Sequence, residues 1–392
     1  MSGSMFARLA RFGAAAVAAL ALAGCVTAGE MASTVTTNVA AAGGLFSAPQ
    51  GEPQPIPVFV ASTRKGEEGA SADAIGSARY SLAIVTAPPG HAAGVIERQT
   101  FGAPDPRRHF ALRQRKSLDE QEFAQTVATH LSGRVGASRD VLVFVHGFNN
   151  SVDEARMRLA QIVADSRFSG VPVLFTWPSR QKLLAYGSDR ENATASRDAL
   201  EKLLAELSRT PGVGRVHVLA HSMGTWLAME ALRQNAIAGR PTLDGRLGEV
   251  MLAAPDLDLG VFEQQMARLP GARVSVFATT NDRALSISST LAGDRIRLGS
   301  VDARDAATRD ALQKLGVKVY DITAEASGII RHGAFAEAPG VVASIGARLA
   351  EPRVEDRAQA VLGERPAPIE AKPQIAAEPL PPPVAASAVP TL

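Results

Sequence analysis

The stretch Val216 to Trp226, VHVLAHSMGTW, places a serine where an apolar run ends and a helical pattern begins. The run VHVL has the character of a buried strand. The following GTWLAMEALRQ brings Leu227, Ala231 and Leu232 to one face at helical spacing. Ser222 therefore falls on a tight strand-to-helix turn. A serine there can cap the helix, or it can be a nucleophile held on a strained elbow. Its neighbours bear on the choice. Ala220 and Gly224 stand two positions to either side, in the frame of Gly-x-Ser-x-Gly, where a larger side chain would clash as strand and helix converge. Ala220 in place of the first glycine departs from the commonest form.

The rest of the chain supplies the frame for that turn. Eight apolar runs read as strands: IPVFVAS, YSLAIVTA, VLVFVHG, VPVLFTW, RVHVLAH, EVMLAAP, RVSVFATT and VKVYDIT. Most are continuous rather than alternating, as expected where both faces of a sheet are covered. Helical patterns lie between several of them. One opens at Ser151-Val-Asp-Glu154, a capping-box signature, with Ala155, Leu159, Ile162 and Val163 on one face. A second carries Leu200, Leu203, Leu204 and Leu207, and a third is expected to open at Ser117-Leu-Asp-Glu120. Strands alternating with helices give an α/β fold: a mostly parallel sheet of about eight strands with helices on both faces. Ligands of such sheets bind at the carboxyl ends of the strands. The connections after Trp177 and Asp256 read as short, which leaves little or no room for a lid.

Both ends of the 392-residue chain differ from this middle. Arg8 and Arg11 precede the apolar FGAAAVAALALA, which runs into Leu22-Ala-Gly-Cys25. A basic start, a short apolar run and small residues make an export signal over residues 1–24. The apolar run falls well short of the ~20 residues that cross a bilayer as a helix. LAGC resembles the bacterial lipobox, and Cys25 is the sole cysteine, so no disulfide can form. That resemblance implies lipidation of Cys25 and attachment to a membrane. Val26, rather than Asp, follows it, which implies the outer membrane facing the periplasm. Residues 25–54 read as a tether, 55–350 as the folded domain, and 351–392 as a Pro/Ala-rich tail unable to bury a core. With 41 basic and 39 acidic residues the net charge is +2. Neither a basic stripe nor a nucleic-acid motif is visible, so no nucleic-acid partner is expected.

A serine nucleophile needs a general base, and the base in turn needs an orienting carboxylate. After Ser222 the only histidine is His332, in IIRHGAF beyond the last strand candidate. Two aspartates between them end strands: Asp256 in MLAAPDLD and Asp282 in FATTNDRAL. The oxyanion that forms on attack needs backbone N–H donors. Met223, next to the nucleophile, offers one. His146-Gly147-Phe148 in VLVFVHGFNN resembles the His-Gly motif that shapes this hole in lipases and esterases, which implies Phe148 N–H as the other donor, with Gly147 keeping the turn open and His146 moving no protons. His221 is expected to pack beside the elbow. No metal-ligand spacing and no Gly-rich dinucleotide loop is present, so no cofactor is expected.

VFVASTR, VLVFVHGFNNS, LFTWPSR followed by YGSDRENA, AHSMG, LAAPD, NDRAL and RHGAF occur in this order. The ordered set, over roughly 55–350, resembles the α/β-hydrolase superfamily, and within it a bacterial esterase/lipase-like branch known as domain of unknown function 900. The resemblance implies an α/β-hydrolase fold and a Ser-His-Asp site. The usual place of the acid in that fold points to Asp282, with Asp256 as the alternative that braces the site. Tyr186, Asp189 and Arg190 then line or brace the cleft, or form a structural turn with an ion pair. Trp177, Phe148 and Trp226 are expected to offer apolar contact. The activity implied is hydrolysis of a small-molecule or lipid carboxylic ester through an acyl-enzyme. Acyl transfer or amide cleavage on the same site is an alternative, as is a non-catalytic envelope scaffold that keeps the hydrolase shell.

Overall fold

Five consecutive fully buried residues, Val141–Val145, form the strand around which the sheet is built. The computed structural model describes residues 51–65, 75–291, 293–326 and 331–351; the export signal, Cys25, nearly all of the tether and the tail fall outside them. In chain order the strands are β1 (Gln54–Arg64), β2 (Ile75–Ala87), β3 (Ala111–Leu118), β4 (Val141–Val145), β5 (Val171–Thr176), β6 (Val216–His221), β7 (Leu247–Ala253), β8 (Arg273–Ala278) and β9 (Val317–Asp321). The helices are α1 (Glu120–Leu131), α2 (Val152–Ser166), α3 (Tyr186–Ala195), α4 (Arg197–Arg209), α5 (Met223–Ile237), α6 (Leu259–Met266), α7 (Arg283–Leu291), α8 (Ala306–Lys314), α9 (Ala334–Glu337) and α10 (Pro339–Ala350).

The strands join in one sheet of order β3-β2-β1-β5-β4-β6-β7-β8-β9. β1, β2 and β3 pair antiparallel, and every pairing from β1 through β5 to β9 is parallel. Alternate strand residues feed two cores. Val143, Val218 and Leu252 pack with α1, α4, α5 and α6, whereas Phe144, Leu219 and Met251 pack with α2 and α10 on the opposite face. From β4 the chain steps to β5 on one side, then crosses back to β6 on the other. That reversal is the place where sheets of this kind bind ligands, and Ser222 and the 146–150 loop both sit there.

The Ser151 cap forms as the spacing predicts. Its hydroxyl accepts from the Glu154 N–H at 3.1 Å and the Glu154 carboxylate accepts from the Ser151 N–H at 2.7 Å. The structure adds one strand to those read from the sequence and moves one helix start. The sheet has a ninth strand, β3, whose middle residues are exposed and include Arg113, Arg115 and Lys116. It is an edge strand, where charge guards the open side and apolar patterning is lost. Ser117 belongs to that strand, paired with Ser81, so the helix start lies two residues later. Asp119 caps α1 by accepting from the Glu122 N–H at 2.8 Å.

After β2 the chain is pinned to α2 by His91, whose ring nitrogens lie 2.9 Å from Glu97 and 2.7 Å from Asp165. Burial opposes protonation of His91, but the hydrogen bonds and charges of Asp165 and Glu97 outweigh it and push its pKa up to about 9. A folded-state pKa above the unfolded one stabilises the fold at low pH; the effect is complete below about 6.5 and is lost as pH rises through about 9. Thermal melts should therefore show a fall in stability across that window. In His91→Gln that fall should flatten, with the two proteins converging at pH 10; parallel curves would contradict the assignment.

Candidate active site

Ser222 leaves β6 with φ +52° and ψ −127°, a conformation that costs a non-glycine residue of order 1–3 kcal/mol. The surroundings over-determine it. Its N–H donates to Ala253 O at 3.0 Å, and its carbonyl accepts from the Thr225 N–H, the Thr225 hydroxyl and the Asp256 N–H at 2.9, 2.6 and 3.3 Å. Although Ser222 occupies the N-cap position of α5, its side chain makes no capping bond. The backbone is held while the hydroxyl is left for other work.

Gly224 explains the need for small neighbours. A Cβ there would lie 2.7 Å from Val145 O and 2.4 Å from His146 O, the backbone of the adjacent strand end. Gly224→Ala is expected to push α5 off β4 at a cost of about 1–3 kcal/mol, read as a lowered melting temperature with loss of any Ser222-dependent activity. An unchanged melting temperature would contradict this packing. Gly147 is confined in the same way, with Ser222 Cβ 2.9 Å and His221 Nδ1 2.8 Å from where its Cβ would stand. The 146–150 loop thus lies directly against the elbow at Gly147.

Asp282 and His332 come together across 50 residues, with Asp282 Oδ2 2.6 Å from His332 Nδ1. Asp282 is buried, and its other carboxylate oxygen accepts from the Leu285 N–H at 3.1 Å, which fixes its direction at the start of α7. Burial alone would lower the His332 pKa, but the charge of Asp282 and its hydrogen bond overcome this and raise it. His332 is anchored next to the elbow by His221. The rings lie 4.7 Å apart, and His221 Nε2–H donates to His332 O at 3.2 Å. Phe335 also stacks on His221 at 4.4 Å. Burial, then the nearby His332 charge, keeps His221 neutral, so it serves as a wedge.

Asp256 does not meet His332. Its carboxylate accepts from the Tyr186 hydroxyl at 2.6 Å and from the Ser288 hydroxyl, and it lies 3.2 Å from Arg297 Nε. Arg190 Nη1 donates to Asp256 O at 3.4 Å while its guanidinium sits 4.4 Å over the Trp226 ring. Tyr186 therefore braces the Asp256 carboxylate and Arg190 its backbone carbonyl. Asp189 is separate: it is buried and accepts from the Ser179 hydroxyl at 2.8 Å and the Arg180 N–H at 3.0 Å.

His146 is an architectural residue. Its Nε2 accepts from the Trp177 N–H at 3.2 Å and lies 3.0 Å from Thr176 Oγ1, which leaves Nδ1–H to donate to Gly147 O at 2.8 Å. Full burial, then the charge of Arg64, drives its pKa down to about 3. Trp177 stacks on His146 at 5.0 Å with no exposed surface and donates to His146 O, so it cannot contact a substrate as expected. Trp226 donates to Thr194 Oγ1 at 3.1 Å beneath α3. Phe148 at the loop tip is half-buried, as is Trp226, and its ring lies 5.6 Å from the Tyr186 ring.

Sequence reasoning missed Arg64. A register slip of β1 against β2 between Ser62 and Arg64 accompanies its inward turn. It donates to Thr176 Oγ1 at 3.1 Å, Ser179 O at 3.3 Å and Asn150 O at 2.7 Å, tying the 146–150 loop to β5. The one available signal was a charge ending an apolar strand in VFVASTR. Among the described residues, no group of three His, Cys, Asp or Glu side chains is placed to hold a metal ion, and no helix is long and apolar enough to cross a membrane.

Residues 119–350 match the family described as "Alpha/beta hydrolase of unknown function (DUF900)". The chain belongs to this family. An uncharacterized protein from Nostoc sp., alr1448, is 39% identical over 61 residues, 15% of this chain and 16% of that protein, so the chain spans about a sixth of that relative. Among solved structures, a Pyrobaculum calidifontis esterase is similar at 14% identity over 55% of this chain and 78% of its own, with a TM-score of 0.34. A thermostable esterase from Pseudomonas putida is similar at 13% identity over 76% and 82%, TM-score 0.33. One of two esterases from the fungus Rhizomucor miehei is similar at 11% identity over 77% and 84%, TM-score 0.36.

Proposed function

We propose that this member of the hydrolase family cleaves carboxylic esters through an acyl-enzyme, with Ser222 as nucleophile, His332 as base and Asp282 as the orienting acid. The observation that carries the reading is the 2.6 Å Asp282–His332 pair, anchored beside a strained serine whose side chain makes no capping bond. Asp282 accepts the Nδ1 proton of His332 and so presents Nε2 as the unprotonated nitrogen. His332 Nε2 takes the Ser222 proton as Oγ bonds to the ester carbonyl carbon. The oxyanion rests on the Phe148 and Met223 N–H groups, the latter at the positive end of α5. Collapse breaks the carbon–oxygen bond to the leaving alcohol, which receives the proton from His332. Water then repeats the sequence, and the free acid leaves with Ser222 regenerated.

Short p-nitrophenyl esters test the reaction class. The full chain should release nitrophenol in a burst equal to the active serine, followed by steady release of free acid. Wild-type release no faster than that of Ser222→Ala would reject the reading. Accumulation of a new ester when an alcohol is added would instead favour acyl transfer on the same site.

We further propose that Cys25 carries lipid and tethers the enzyme to the outer membrane on its periplasmic side, on the strength of LAGC followed by Val26. Metabolic labelling with an alkyne fatty acid should mark the wild type and not Cys25→Ser.

A further inference from the structure

The two proposed oxyanion donors come from different segments, Phe148 from the loop after β4 and Met223 from the elbow after β6. They act together only if the segments keep a fixed separation. A single side chain spans them. The Tyr186 hydroxyl reaches Asp256 Oδ2 at 2.6 Å and Ser288 Oγ at 2.8 Å, while its ring lies 5.6 Å from the ring of Phe148 at 68°. Asp256 in turn donates its N–H to Ser222 O at 3.3 Å. A path therefore runs from the elbow carbonyl through Asp256 and Tyr186 to Phe148. The carboxylate in its middle is buried and is itself held by Arg297 Nε at 3.2 Å. Keeping a charged pair in such a place is costly unless its geometry is well satisfied, and this pair spends two carboxylate oxygens on the Tyr186–Ser288 hydroxyls.

We infer that Tyr186 is a positioning residue which, through Asp256, sets the Phe148 N–H against the Ser222 elbow and so completes the oxyanion hole. The inference rests on the serine-hydrolase reading above. Removing the hydroxyl frees the ring to shift, and Phe148 with it, while deleting neither donor N–H and leaving the Asp282–His332 pair and the nucleophile in place. The defect should therefore fall on the transition state rather than on substrate binding or on the base.

Tyr186→Phe tests it in the full chain. A fluorophosphonate reports the hole directly, because its phosphonyl oxygen occupies the oxyanion position as Ser222 is modified. The labelling rate and kcat for p-nitrophenyl butyrate should both fall about tenfold, less than the 100- to 1,000-fold typical of losing a whole donor. KM should stay within about twofold, as for an interaction made only in the transition state, and the pH dependence should not move. In a Phe148→Ala background the same substitution should cost little, because the ring it restrains is gone. A wild-type labelling rate, a KM-only effect, or full additivity with Phe148→Ala would overturn the inference. Should Tyr186→Phe fail to fold, Ser288→Ala removes the hydroxyl's other partner and carries the same expectation at smaller size. Failure of the wild type to label at Ser222 would instead strike the serine-hydrolase reading itself.

Discussion

Ser222→Ala is expected to lower kcat for short esters by about a million-fold, the scale seen when a serine hydrolase loses its nucleophile. In the proposed mechanism the Ser222 hydroxyl oxygen forms the bond, and no neighbour can replace it. His221 is neutral and donates to His332 O, His146 is fixed as the Nδ1–H tautomer, and the Thr225 hydroxyl already donates to Ser222 O. The fold should tolerate the change, since the side chain makes no capping bond and the backbone bonds of the elbow all remain. Unchanged melting with lost turnover is the expected pair of results. Retention of more than about a hundredth of the activity would remove Ser222 from the chemistry.

Asp282→Asn should cost about ten-thousand-fold in kcat, because the amide would donate to His332 Nδ1 and trap the tautomer that points its proton at the nucleophile. It should also move the pH dependence. In the wild type the rate is expected to rise with pH as His332 loses its proton, with a midpoint above 6.5 because the Asp282 charge and hydrogen bond outweigh burial. Without that charge burial dominates, so the midpoint should shift to lower pH. Asp256→Asn leaves the Asp282–His332 bond intact and should produce neither the full loss nor the tautomer defect. If Asp256→Asn were the more damaging of the two, the acid would have been assigned to the wrong aspartate.

What was legible in the chain follows from where local chemistry dictates structure. The elbow could be read because a strand-to-helix reversal admits only small residues around it, and Gly224 does pack against the β4 backbone. The central strands could be read because burial on both faces demands unbroken apolar runs. β3 was hidden by the opposite circumstance, since this edge strand shows water five exposed polar residues in a row. Asp256 and Asp282 look alike in sequence, each closing a strand, and only the path of α7 and the loop before α9 decides which reaches His332. Trp177 looked like a cleft residue because nothing local reveals that β5 delivers it beneath His146. The Arg64 and Asp256 clusters draw partners from segments dozens of residues apart, so no window of sequence contains them.

Labelling of the full chain with a fluorophosphonate, followed by peptide mass mapping, tests the central claim most directly. A single adduct on Ser222, formed more slowly as His332 is protonated and absent from Ser222→Ala, is the result expected. An adduct on another residue, or equal labelling of wild type and Ser222→Ala, would contradict it.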